Sequence, residues 1–214
     1  MKPLILINFK VYPESTGEQG LKLAQRINSV KLSSNEIAIA PSLLMAQAVA
    51  DRVSLPVFAQ YADAVEVGAH TGSITAVELK RCGIEGVMLN HAEKRIPFSV
   101  LKKTVALCKK QRLRVLICAG SLGEIAKFIV LKPEFIAYEP KELIGGNISV
   151  TQAKPGVMAK AVVLAKGCRL LCGAGVHSAE DVRTALRLGA TGVLLSHAVV
   201  KARNPKKFLK ELLR

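Results

Sequence analysis

The 214 residues predict an α/β chain folded as a (β/α)8 barrel, one compact domain over residues 1–214. Three observations predict it. Short apolar runs alternate with longer amphipathic stretches eight times, with no Gly/Ser-rich linker or low-complexity segment between them. The runs are continuously apolar, as strands of a parallel sheet buried on both faces are. The turn after the first run, Asn8-Phe9-Lys10-Val11-Tyr12-Pro13, has no glycine. A doubly wound open sheet, the competing architecture, carries a glycine-rich turn at that place. The chain is short for eight units, so trimmed helices and bottom loops are expected.

The elements follow in order. Leu4–Asn8 reads as a strand, and Gly17–Val30 as a helix with Leu21, Ala24 and Ile27 on one face. Ile37–Ala40 is the second strand; Ser42–Val53 is its helix, with Ser42 a candidate N-cap. Val57–Ala59 is the third strand, followed by a polar, Gly-containing loop, Tyr61–Ser73, and a helix around Thr75–Cys82. Gly86–Leu89 and Phe98–Lys110 form the fourth unit, Arg114–Cys118 and Ser121–Val130 the fifth. Phe135–Tyr138 is the sixth strand, with a helix at Lys154–Ala165. Arg169–Cys172 precedes Ser178–Leu188, whose first turn carries Glu180 and Asp181 after Ser178. Gly192–Leu195 is the last strand. Asn204 and Pro205 start a final helix to Leu213.

Thirty-one Lys and Arg against 16 Asp and Glu give a formal charge of +15, with a cluster in Lys201–Lys210. That balance favours anionic partners such as phosphorylated metabolites. Nucleic acid is not the expected partner: zinc-finger, RNP and helix-turn-helix patterns are missing, and six Phe with three Tyr offer few stacking platforms. Five cysteines, an odd number in mostly apolar surroundings, read as reduced thiols and not as a metal site or disulfide framework. No apolar run is long enough to span a membrane. The first strand begins directly after Met1-Lys2-Pro3 without a signal-peptide pattern, so a cytoplasmic protein is expected.

In a barrel, chemistry gathers at the C-terminal ends of the strands. The first strand ends in Asn8 and Lys10, which in extended chain point the same way. The fourth is followed by Asn90-His91-Ala92-Glu93-Lys94-Arg95. A helix N-terminus at His91 would keep its imidazole neutral, and Glu93 is placed to brace either Lys10 or a group on the substrate side. The sixth strand is followed by Glu139 and Pro140, then by Gly145-Gly146-Asn147. A carboxylate between a buried strand and such a loop reads either as a base under a lid or as a solvated turn residue. Small residues follow the seventh and eighth strands, Gly173-Ala174-Gly175 and Ser196-His197-Ala198. Their open amides suit a phosphate. One carboxylate, one imidazole, one lysine and one amide, with no metal cluster or cofactor motif, fit proton abstraction beside a carbonyl.

Six segments taken together resemble the triosephosphate isomerase family in its short archaeal form. They are Asn8-Phe9-Lys10, Gly68-Ala69-His70-Thr71-Gly72, Asn90 to Arg95, Tyr138 to Gly145, Cys172 to Val176, and Gly192 to Leu195. They run in order through nearly the whole chain. The resemblance implies interconversion of dihydroxyacetone phosphate and glyceraldehyde 3-phosphate, without a cofactor or metal. It implies Glu139 as base, His91 as electrophile, Lys10 as electrostatic stabiliser and Glu93 as its support. Asn8 and Phe9 fall in its substrate-binding motif, Ile144 and Gly145 in its lid. Gly175, Ser196 and His197 fall at its phosphate donors. It further implies a homodimer or homotetramer, with the His70-Thr71-Gly72 tip entering a neighbouring subunit.

Several residues depart from the pattern. Ala92 stands for a serine, Lys141 for a proline, Gly146-Asn147 for Thr-Gly, and Ser196-His197-Ala198 for Ala-Ser-Gly. The last change predicts an imidazole beside the phosphate and a costly positive φ at Ala198. Two other readings follow from the residues: a barrel paralogue with an impaired phosphate loop that binds polyanions or regulates, and a Schiff-base aldolase or other sugar-phosphate isomerase using Lys10.

Overall fold

The computed structural model describes residues 2–31, 34–140 and 155–213. Eight parallel strands form its centre: β1 (Leu4–Asn8), β2 (Glu36–Ala40), β3 (Phe58–Ala59), β4 (Gly86–Leu89), β5 (Arg114–Ala119), β6 (Phe135–Tyr138), β7 (Arg169–Cys172) and β8 (Gly192–Leu195). Their order is β2-β1-β8-β7-β6-β5-β4-β3, and a parallel bridge between Ile39 and Val57 joins the two ends. The ring is therefore a barrel, as the uninterrupted apolar runs require.

Around it stand α1 (Gly17–Asn28), α2 (Ala46–Ala50), α3 (Ala76–Arg81), α4 (Phe98–Lys110), α5 (Leu122–Phe128), α6 (Pro155–Leu164), α7 (Ala179–Arg187), α8 (His197–Val200) and α9 (Pro205–Leu212). The trimming expected from the length falls most heavily on the second unit. There the helix shrinks to a 3₁₀ turn, Leu43–Met45, plus five residues of α2, and Ser42 makes no side-chain cap. The caps at α7 and α9 do form. Ser178 and Asp181 close a capping box, and Asn204 Oδ1 accepts from Lys207 N at 3.0 Å.

Alternate residues of each strand face opposite ways, which splits the core in two. Leu4, Leu6, Ala38, Ala40, Met88, Leu116, Ala137, Leu171 and Leu194 belong to the cluster inside the barrel. Ile5, Ile7, Ile37, Ile39, Val87, Leu89 and Ile117 pack outward against the helices. The lower end of the barrel is closed by charge and aromatic rings. Arg114 Nη2 meets Glu134 Oε1 at 3.1 Å and pairs also with Glu36, while Arg169 lies 3.8–3.9 Å from the same two carboxylates. The guanidinium of Arg114 sits 5.6 and 5.0 Å from the ring centres of Phe58 and Phe135. With that end sealed, the open end is the C-terminal one.

Candidate active site

A cleft lies where β1, β4, β6, β7 and β8 end. Asn8, Lys10, His91, Glu139, Gly175, Ser196 and His197 all line it. Phe9 does not share their position: it is fully buried in the outer core. Ile144 and Gly145, with the rest of the expected lid at 141–147, lie outside the described residues.

Asn8 and Lys10 reach the cleft by a route other than extended chain. Lys10 has φ +50°, so the strand geometry breaks there. The Lys10 amide donates to Asn8 Oδ1 at 2.9 Å. Gln60, just after β3, secures the turn: its Nε2 lies 3.0 Å from Ala40 O, 3.2 Å from Lys10 O and 3.3 Å from Asn8 Oδ1. Its two amide hydrogens are shared among three acceptors. Lys10 Nζ donates to Glu93 Oε1 at 2.6 Å, which is the brace expected of Glu93.

His91 is buried and begins a turn, not a helix: Lys94 N donates to His91 O at 2.9 Å. The expected helix dipole is therefore not what acts on it. Burial lowers its pKa, the Glu93 charge opposes this, and the Lys10 charge lowers it further. Glu93 N donates to Nδ1 at 3.2 Å, so Nδ1 carries no proton and the neutral ring bears it on Nε2. A backbone amide thus orients the imidazole, with no hydroxyl required from Ala92. Nε2 faces Glu139 Oε1 at 3.7 Å.

Glu139 is 4% exposed, and among the described residues its Oε2 has no hydrogen-bond partner. Of the two readings of this carboxylate, the solvated turn is thereby removed. Burial pushes its pKa up to about 7, against the smaller downward influences of the Cys118 thiol and the Lys10 charge. Its methylene stem fills the space beside Gly173, where any Cβ would collide with Glu139 Cγ. Glycine at 173 is thus required by packing against the carboxylate.

The third wall is backbone. Gly175 has φ +69° and lines the same cleft as Lys10. The strain expected at Ala198 does not arise. Ser196 to Val200 wind into the first turn of α8, Ser196 O accepts from Val199 N and Val200 N at 3.0 Å, and Ala198 keeps helical φ. His197 turns its ring edge to Tyr12, with centroids 6.3 Å apart, and stays exposed at the rim.

Three contributors escaped the sequence reading, Gln60, Asn90 and Cys118, of which only Asn90 lay inside a quoted motif. Gly173, expected to offer an open amide to phosphate, instead donates its amide to Tyr138 O at 3.0 Å and makes room for Glu139.

The family model described as triosephosphate isomerase matches residues 3–212. A protein named triosephosphate isomerase from Methanocaldococcus jannaschii is 38% identical over 99% of each chain. One of that name from Methanothermus fervidus is 39% identical over 99% of this chain and 98% of its own. Another from Metallosphaera sedula is 41% identical over 97% of this chain and 92% of its own.

Proposed function

The chain belongs to the triosephosphate isomerase family, and from that premise we propose that it interconverts dihydroxyacetone phosphate and glyceraldehyde 3-phosphate. The observation that carries the reading is a buried carboxylate of raised pKa, 3.7 Å from a neutral imidazole, with a lysine on the same cleft. Glu139 takes the proton from the carbon beside the carbonyl and returns it to the neighbouring carbon. The electron pair released moves onto the carbonyl oxygen, giving an enediolate. His91 Nε2–H gives its proton to that oxygen and Nε2 takes the proton of the neighbouring hydroxyl, so that carbonyl and hydroxyl exchange places, while Lys10 Nζ stabilises the charge. The phosphate rests against the backbone around Gly175, Ser196 and His197. Asn8 holds the Lys10 turn.

A coupled assay of glyceraldehyde 3-phosphate conversion tests this. Glu139→Asp withdraws the carboxylate by one methylene, and turnover is expected to fall by about 100-fold or more in a folded protein. Unchanged turnover would remove Glu139 as the base. No observation favours the polyanion-binding alternative.

We further place the chain in a homo-oligomer. A groove beside the cleft, lined by Val11, Leu44, Met45, Tyr61 and Lys94, opens onto Lys10 and His91. Leu44 is 98% exposed and Val11 73% exposed there. The exposed His70-Thr71-Gly72 tip of a second copy is its proposed occupant. Light scattering on Leu44→Asp, against the unaltered protein, checks it: the unaltered protein is larger than one chain and the variant dissociates. Cytoplasmic location is the companion proposal, supported by five free thiols and by the lack, among the described residues, of a helix long and apolar enough to cross a membrane.

A further inference from the structure

We infer that Asn90 is a positioning residue that holds His91 at its working distance from Glu139; the inference rests on the isomerase reading. Asn90 is 2% exposed and has φ +61°, a conformation that asparagine tolerates better than most side chains. The parallel ladder between β4 and β5 runs in register up to Leu89 and Ile117 and then stops. The backbone turns away at Asn90, and its side chain takes up the next bonds. Nδ2 donates to Cys118 O at 3.0 Å, and Oδ1 accepts from Ile96 N at 3.0 Å. The Asn90 carbonyl lies 3.4 Å from Arg95 Nη1.

One buried amide thus ties the two ends of the 91–95 turn to each other and to the end of β5. His91 is the next residue, so the place from which its ring is directed depends on the two side-chain bonds that clamp this left-handed step. Cys118 is the other terminus of the clamp, and its thiol acts on the Glu139 carboxylate. Asn90 is therefore the shared support of the imidazole and of the strand beside the base. It touches neither substrate nor reacting atoms, and its effect passes through His91.

The test separates this role from plain stability. Asn90→Gly keeps the positive φ at no steric cost and deletes both side-chain bonds. Asn90→Asp keeps the shape and the acceptor for Ile96 N and puts an oxygen in place of the donor to Cys118 O. Both are assayed well below their melting temperatures. The expected result for Asn90→Gly is a kcat lowered by about tenfold or more with KM within about twofold, because orientation and not binding is lost. The His91 imidazole ¹⁵N resonances should shift from one tautomer toward a mixture. A lower melting temperature with kcat within about twofold of the unaltered protein, and an unchanged ¹⁵N pattern, would overturn the inference. Should Asn90→Gly not fold, the same criteria apply to Asn90→Asp. An inactive unaltered protein would instead sink the isomerase reading, and the ¹⁵N pattern alone would then decide for Asn90.

Discussion

Replacing Glu139 by Gln should make the protein more stable at alkaline pH while removing its activity. Burial raises this carboxyl from 4.5 to about 7 in the folded chain. The folded state therefore holds a proton between those values that the unfolded state has released. Stability falls with rising pH wherever the folded state binds more protons. The contribution is intact below about pH 4.5, is lost as pH rises to about 7, and is flat above that. At about 1.4 kcal/mol per pH unit, the loss amounts to about 3 kcal/mol. Glutamine has no such titration. Its amide at the Oε2 position, which has no partner among the described residues, costs about 1–3 kcal/mol, equally at all pH. The two proteins should therefore differ in slope, whatever their offset. The assay is urea unfolding at pH 5 and pH 8, with one protein concentration throughout. The stability difference, variant minus unaltered, should grow by about 2–3 kcal/mol between the two pH values, since part of the full loss already lies below pH 5. Parallel pH dependences would refute the burial argument and leave Glu139 an ordinary solvated carboxylate.

Two other substitutions follow from the same geometry. Gly173→Ala places a Cβ where Glu139 Cγ now lies, so the carboxylate must swing away from His91; kcat should drop by about tenfold or more with KM little changed, and normal turnover would show that the wall yields. Arg114→Ala leaves Glu36 and Glu134 to Arg169 alone at the closed end of the barrel; because these groups are partly exposed, the loss should be about 2 kcal/mol in urea unfolding, with kcat unchanged.

What the sequence revealed follows from what each feature depends on. The strands were legible because burial on both faces leaves an uninterrupted apolar run, as in Leu4 to Ile7 or Gly192 to Leu195. The short second helix and the turn of α8 were not, since a single turn has too few residues to show a period. Asn8 and Lys10 share a cleft, but not by the extended-chain spacing that suggested it; no pattern announces a lysine at φ +50°. Phe9 entered the candidate site only through its neighbours, and its fully apolar side chain went to the core. Gln60 was invisible because its work is to share hydrogens among three oxygens that come together only after folding. At Ala198 the feared strain assumed that the chain keeps the path a glycine would give it. It coils into α8 instead, which is open to any L-residue.

His91 shows how one physical cause replaces another without changing the outcome. A helix dipole and a dry wall both disfavour imidazolium, and the wall is what acts here. The same dryness acts in the opposite sense on Glu139, since burial disfavours whichever form is charged. The acid is pushed up to about 7, the imidazole is pushed down from its usual 6.5, and the two lie 3.7 Å apart. On the proposed reaction this is the useful condition. A carboxylate left at 4.5 would be a feeble base toward a carbon-bound proton, and an imidazolium would surrender its proton too readily to the enediolate. Burial alone would carry Glu139 higher and empty it of base at pH 7. The Cys118 thiol and the Lys10 charge restrain it at about 7. Lys10 is itself held by Glu93, so the support that reaches Glu139 starts from the ends of β1 and β4, far away in sequence. Water admitted to this cleft would undo both shifts together, returning the acid toward 4.5 and the imidazole toward 6.5. The paired displacement, and not either value alone, is therefore the signature that an opened variant should lose.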